Sequence, residues 1–295
     1  NFKQALIPAG AEPLRNPVGT APGVWWQDPP GHPGVRIVMM PGVPREMKTM
    51  WEAQVEPRLR SLAGRPVHTL RMVVCGVPES NLDERTREVR EKHGHLDWTI
   101  LANLTQVELL ARGPEPQALE AARLDFEPVL GDDLACVGGG NLEDAILDQL
   151  RARGETLAVA ESMSGGLLAS RLTAVPGASM VFLGGATAYT VAAKAALLGL
   201  DPAWLAQVGT VSEACSVAMA EAARRRLGST WALAICGNAG PGAEGGAPVG
   251  SVFIALAGPA GTQVRAPKMA GERAEMQLRS TAQALDLLRR ALRNG

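Results

Sequence analysis

The chain has 295 residues, of which 46% are apolar and 20% charged, and its 29 basic and 30 acidic side chains leave a net charge of −1. The length allows two or more domains of ~100–200 residues each, and the composition is that of an ordinary globular protein. The charge balance speaks against a protein that coats nucleic acid, which carries a basic excess, and no run approaches the ~18 uncharged apolar residues of a membrane span.

The N-terminus has no signal-peptide pattern. Cys75, Cys136, Cys215 and Cys236 are scattered without CxxC spacing, so they read as small buried residues of a reducing compartment. A cytoplasmic location is expected. The chain starts at Asn1, not Met, in a segment dense with loop residues, so further sequence is expected upstream.

Residues 1 to about 50 are rich in Pro and Gly, which punctuate turns. One strand stands out, Val35–Met40, followed by "PGVPREM", where a proline opens a helix at a position that needs no N–H. One strand makes too little sheet for a core, so this segment reads as the end of a domain.

From about His68 to Val137 the pattern is a small α+β unit. "LRMVVCG" and "QVELLARG" are strands, "SNLDERTREVREKHG" and "PEPQALEAARLDFEPVLG" are helices, and Leu134–Val137 is a third short strand. "GGGN" at 138–141 reads as a linker. Beyond it come a helix (Leu142–Arg153), a strand (Thr156–Ala160), a helix (Leu167–Ala174) and an apolar run (Met180–Gly184). A helix around Ala192–Leu198, another at Ser212–Leu227, strands at Trp231–Cys236 and Ser251–Ala257 and a helix at Glu272–Arg293 complete the chain. Short apolar strands alternating with helices predict an α/β sheet covered by helices.

Sheets of this kind bind ligands at the carboxyl ends of strands. Two loops there are loaded with chemistry. "ESMSGG" supplies Glu161, Ser162, Ser164, Gly165 and Gly166, whose backbone N–H groups at a helix start suit an anion. Ser162 and Ser164 read equally as helix caps. The hydrolase elbow G-x-S-x-G and the S-x-x-K pattern both fail here, so any base must come from elsewhere. "GNAGPGAEGGAPVG" reads as a mobile surface loop or as a phosphate-binding one. Between the two lie Tyr189, the single tyrosine, and Lys194, an isolated cation in an apolar helix. A lysine whose head enters an apolar pocket is driven toward its neutral, basic form, whereas a snorkelling lysine stays at the surface. His93 and His95 read as a solvated loop, with no metal site around them.

Four segments in order, "LAVAESMSGGLLASRLTAVPGAS", "GGATAYTVAAKAALLGL", "VGTVSEACSVAMAEAA" and "AICGNAGPGAEGGAPVGSVFIALA", resemble the C-terminal domain of the CinA family, the nicotinamide mononucleotide (NMN) deamidase module. Upstream, "KQALIPAGAEPLRNPVGTAPG" and "MMPGVPREMKTMW" resemble the end of that family's molybdopterin-binding-like domain, and "VVCGVPESNLDE" onward its KH-like domain. The resemblance implies an α/β protein. Residues 1–65 would be the remnant of the first domain, 66–138 the small α+β KH-like domain, and 142–295 a three-layer α/β/α amidohydrolase domain.

The activity it implies is hydrolysis of the NMN carboxamide to nicotinate mononucleotide and ammonia. Ser162 would be the nucleophile, Lys194 its base and Tyr189 an assisting hydroxyl. Glu161, Ser164, Gly165, Gly166, Gly237, Asn238, Ala239, Gly240, Pro241 and Arg273 would bind substrate, with the oxyanion near Ser164–Gly166. No cofactor is expected for the amidase. A divalent metal belongs only to the ADP-ribose pyrophosphatase activity of the family's N-terminal domain, whose motifs would lie upstream of Asn1. The partners expected are NMN and further copies of the chain, with no membrane and no general nucleic-acid binding. The family writes ESCTGG and TGIAGP where this chain has Met163, Ser164, Cys236 and Asn238. These departures leave open a module that binds nucleotide with weakened chemistry, linked to competence or DNA damage.

Overall fold

The computed structural model describes residues 6–62, 64, 66–243 and 246–294, and the chain divides into two compact units, Asn1–Pro66 and Val67–Gly295. In the first unit, β1 (Glu12–Leu14), β2 (Gly23–Gln27) and β3 (Arg36–Met39) form an antiparallel sheet. A helix α1 (Pro44–Met50), a π-helical turn (Trp51–Val55) and α2 (Glu56–Leu62) follow. Leu14, Trp25, Met50 and Val55 make a small buried cluster. The sequence predicts only β3, because β1 and β2 are short and sit among prolines and glycines that mask their alternation.

The second unit holds two sheets. In the first, β4 (His68–Val74), β5 (Asp97–Ala102), β6 (Val107–Gly113) and β7 (Leu134–Val137) pair antiparallel in the order β5-β6-β4-β7. Helices α3 (Glu79–Lys92) and α4 (Pro116–Leu130) cover one face, where Leu70, Met72, Val74, Leu109 and Ala111 meet Leu82, Ala122 and Phe126. The intervening residues Val73 and Cys75 point the other way, into the core of the second sheet. "GGGN" is therefore a tight junction as well as a linker. The Asn141 side chain caps α5 (Leu142–Arg153) in a reciprocal pair with Asp144.

The second sheet has the order β12-β11-β10-β8-β9, where β8 (Leu157–Glu161) runs parallel to β9 (Phe182–Thr187) and β10 (Trp231–Gly237). β11 (Val252–Gly258) and β12 (Gly261–Arg265) add antiparallel. Side chains alternate across a strand, and here they sort by size. Leu157, Val159, Leu233, Ile235, Ile254 and Leu256 face α5, α6 (Leu167–Thr173) and α10 (Arg273–Asn294). Ala158, Ala160, Ala232, Ala234, Ala255 and Ala257 face α7 (Val191–Leu198), α8 (Pro202–Val208) and α9 (Glu213–Leu227). The result is helices on both faces of a mixed α/β sheet. From β8 the chain passes to β9 on one side and then to β10 on the other. The chain thus changes direction at the carboxyl end of β8, where open α/β sheets place ligands.

Candidate active site

Ser162 is the first residue past β8, and its N–H donates to the Ile235 carbonyl of neighbouring β10 at 2.9 Å. Gly165 (φ +65°) and Gly166 (φ +99°) then turn the chain into α6, in backbone conformations that glycine adopts without strain. Glu161, 1% exposed, holds this turn from below. Its carboxylate accepts the N–H groups of Gly166 (3.1 Å), Leu168 (2.9 Å) and Ala169 (2.8 Å). An anion among the first N–H groups of a helix satisfies donors that have no partner within the helix.

Lys194 lies on α7, whose start is capped by the Thr190 hydroxyl accepting from the Ala193 N–H. Its side chain runs inward, is 2% exposed, and brings Nζ to 3.0 Å from Ser162 Oγ. That is the single hydrogen bond of this amine among the described residues. Both groups line a cavity of about 270 Å³, together with Met163, Tyr189, Thr190, Val191, Thr210, Val211, Gly237, Ala239 and Arg273. Tyr189 is half exposed at the rim. Its hydroxyl accepts from Arg273 of α10 at 2.5 Å, and Arg273 also donates to the Gly240 carbonyl at 3.0 Å.

Of the residues expected to form the site, the cavity brings together Ser162, Lys194, Tyr189, Gly237, Ala239 and Arg273. Glu161, Ser164, Gly165, Gly166, Asn238, Gly240 and Pro241 do not line it. Glu161 is fully engaged with α6. The Gly165 N–H is taken by the Ser162 carbonyl and the Gly166 N–H by Glu161, so these two glycines shape the turn and leave no donor for an oxyanion.

Asn238 is the clamp of its loop. Its amide nitrogen donates to the Gly242 and Ala247 carbonyls (2.8 and 3.0 Å), and its oxygen accepts from the Gly240 N–H (2.8 Å). Residues 244 and 245 of that loop lie outside the described residues. Cys236 is buried behind the strand end, and its thiol donates to the Ser212 carbonyl at 3.4 Å. Its bond with the Cys215 thiol, and then burial, push the Cys236 thiol well above the ordinary range, so it stays protonated.

Met163, Thr190, Val191, Thr210 and Val211 carry no chemical label in the sequence, and only their place between a strand end and a helix cap marks them. His93 departs from its expected place in a solvated loop. It is buried at the end of α3, with Nε2 2.7 Å from Asp125. No group of three metal-ligating side chains occurs among the described residues.

The family model of the CinA C-terminal domain matches residues 140–292, the part that holds the whole cavity. A CinA-like protein from Prochlorococcus marinus is 42% identical over 100% of this chain and 70% of its own length. The chain belongs to the CinA family. A CinA-like protein from Frankia casuarinae is 41% identical over 99% of the chain and 69% of its own. Among solved structures, a competence-damaged protein (CinA) superfamily protein from Klebsiella pneumoniae is 29% identical with a TM-score of 0.50, covering 53% of this chain and 100% of that one. In this CinA-family chain the serine–lysine pair therefore sits in the segment the family model recognises.

Proposed function

We propose that this chain is an amidase that hydrolyses a carboxamide whose far end carries an anion, and that its substrate is NMN, converted to nicotinate mononucleotide and ammonia. The observation that carries this reading is the 3.0 Å contact between buried Lys194 Nζ and Ser162 Oγ at the floor of the cavity. A hydroxyl becomes a competent nucleophile toward an amide when a neighbouring base takes its proton.

With Lys194 as the free amine, Ser162 Oγ bonds to the amide carbon while its proton passes to Nζ. The carbonyl electron pair moves to oxygen, giving a tetrahedral oxyanion. Collapse of that intermediate expels the nitrogen, which takes the proton from Lys194 and leaves as ammonia. Water, giving a proton to the same amine, then adds to the ester carbon. The tetrahedral intermediate expels Ser162 Oγ, which takes that proton back from Lys194 as the acid is released. At the rim, Arg273 and Tyr189 offer a guanidinium and a phenol to the phosphate. An arginine fork matches phosphate oxygens in geometry and charge.

Cys236 and Asn238, the departures that favoured a binding module without chemistry, have side chains engaged in bonds outside the cavity wall. Ser162 and Lys194 remain in contact beside them, which favours an enzyme. Arg273→Gln separates binding from chemistry, because a contact made equally in ground and transition states affects KM alone. Its KM for NMN should rise about tenfold or more with kcat held within about twofold. A fall in kcat at unchanged KM would place Arg273 at the reacting end and remove the phosphate from this rim.

A further inference from the structure

The amidase reading requires donors for the oxyanion, and the two glycines that the sequence nominates for that task are already engaged. Around the nucleophile the N–H of Ser162 goes to Ile235, Gly165 to Ser162, Gly166, Leu168 and Ala169 to Glu161, and Leu167 to Ser164. Among the described residues this leaves the N–H groups of Met163 and Ser164 without an acceptor, and of the two only Met163 lines the cavity. On the facing loop, Asn238 N–H goes to Ser251 and Gly240 N–H to the Asn238 side chain. Between them the N–H of Ala239, another lining residue, has no acceptor among the described residues.

Peptide geometry orients both groups. In a trans peptide the N–H points opposite to the carbonyl of the same plane. The carbonyl that shares a plane with the Met163 N–H is that of Ser162, held inside the turn by Gly165 at 3.1 Å. The one that shares a plane with the Ala239 N–H is that of Asn238, held by Gly250 at 2.8 Å. The two loops touch. β8 and β10 are paired, and a Cβ on Gly237 would lie 2.6 Å from Met163 Sδ and 2.8 Å from the Ser251 carbonyl oxygen. That backbone cannot give way as the Met side chain can, so glycine is required at this approach.

We propose that the backbone N–H groups of Met163 and Ala239 form the oxyanion hole of this site, and that Gln277 of α10 is the positioning residue that holds the first of them. Gln277 Nε2 donates to the Met163 carbonyl at 2.7 Å across 114 residues of sequence. With the preceding carbonyl fixed by Gly165, this bond fixes the orientation of Met163 on both sides. A hole built from the residue after the nucleophile and a residue of a second loop is the arrangement that acyl-transfer chemistry favours. This inference rests on Ser162 being a nucleophile and does not depend on NMN being the substrate.

The test therefore uses an activated ester without a nucleotide, whose burst reports acyl-enzyme formation at a nucleophilic serine. p-Nitrophenyl acetate is mixed with the intact chain, and the burst of p-nitrophenolate is followed in Ser162→Ala, Gln277→Met, which keeps the length and loses the donor, and Gln277→Lys, which restores a donor. Small misplacements of such groups cost up to about 100-fold in rate. The expected result is a burst in the intact chain, none in Ser162→Ala, a burst slowed at least about tenfold in Gln277→Met, and recovery in Gln277→Lys. With NMN, Gln277→Met should lower kcat by a similar factor at a KM within about twofold, with an unchanged melting temperature. Equal burst rates in Gln277→Met and the intact chain overturn the assignment, and so does the absence of a Ser162-dependent burst. A normal burst with no release of ammonia from NMN overturns the nucleotide substrate and leaves the hole standing.

Discussion

Lys194 is a cation by formal charge in a helix of alanines and leucines, and the direction of its stem decides its role. Seen as sequence alone, a lysine at the surface and a lysine in a pocket look alike, because both place an apolar stem against apolar neighbours. What distinguishes them is the 3.0 Å contact with Ser162 Oγ, made between residues 32 positions apart. Replacing this amine by the isosteric, non-basic Met should lower kcat for NMN by about 1,000-fold or more, as loss of a nucleophile's partner does in other acyl-transfer enzymes. Lys194→Arg should be as impaired, since a guanidinium is not deprotonated in proteins. Steady-state ammonia release measures both. Glu161 shows the opposite outcome, since a carboxylate next to the serine reads as chemistry and yet serves three N–H groups of α6. That role becomes visible only once the helix start is known.

Among the elements, the two loops that frame the cavity are held by side chains that do not enter it. Glu161→Gln keeps the shape and removes the charge that faces the start of α6, and a buried, multiply bonded acceptor is worth about 1–3 kcal/mol. Urea unfolding should show a loss in that range. Asn238→Ala removes three hydrogen bonds from the loop after β10, and limited proteolysis should then cut that loop several-fold faster than in the intact chain. The long helices and central strands are legible in the sequence, and the helix over Leu142–Arg153 has the bounds its pattern predicts, because burial on one or both faces imposes a clear period. β5, β12 and α8 are not legible in the sequence. The first two are edge strands with largely exposed or half-buried residues, and α8 is a seven-residue helix with a single buried side chain, Leu205. None has enough apolar alternation to announce itself.

Over the whole second unit, α10 joins the cavity to the four-stranded sheet. Its first turns carry Arg273 and Gln277, and its last turns carry Asp286, Arg289 and Arg290. Arg289 is fully buried, bonded to Asp286 and to the carbonyls of Asp132 and Leu134, while Arg290 bridges Asp286 and Asp133 and Arg85 reaches Asp133 at 2.6 Å. Burial pushes the Asp286 carboxyl upward, but hydrogen bonds from Arg289 and Arg290 and their charges outweigh it, so the carboxyl is held below its ordinary value. A carboxyl lowered on folding stabilises the fold above its unfolded pKa, near ~3.9, and that contribution is lost as pH falls through the folded value. Asp286→Asn leaves a buried guanidinium without its counter-charge and should destabilise by about 3 kcal/mol at neutral pH. In thermal unfolding the gap from the intact chain should narrow as pH falls below about 4. A gap that stays constant down to pH 2 would show that the carboxylate charge contributes nothing. This network is not legible in the sequence, because its two halves, Arg85 with residues 132–134 and Asp286 with Arg289 and Arg290, lie more than 150 residues apart and each charge alone reads as part of a solvated face.

The proposed chemistry is hydrolysis of a nucleotide carboxamide by a serine and a lysine buried together at the end of β8. The most direct measurement is ammonia released from NMN by the intact chain, by Ser162→Ala and by Lys194→Met, each confirmed folded by circular dichroism. The intact chain should release ammonia steadily with nicotinate mononucleotide as co-product, and both variants should lose that release. Release by the variants at the intact rate, or no release by the folded intact chain, would rule out this serine–lysine amidase.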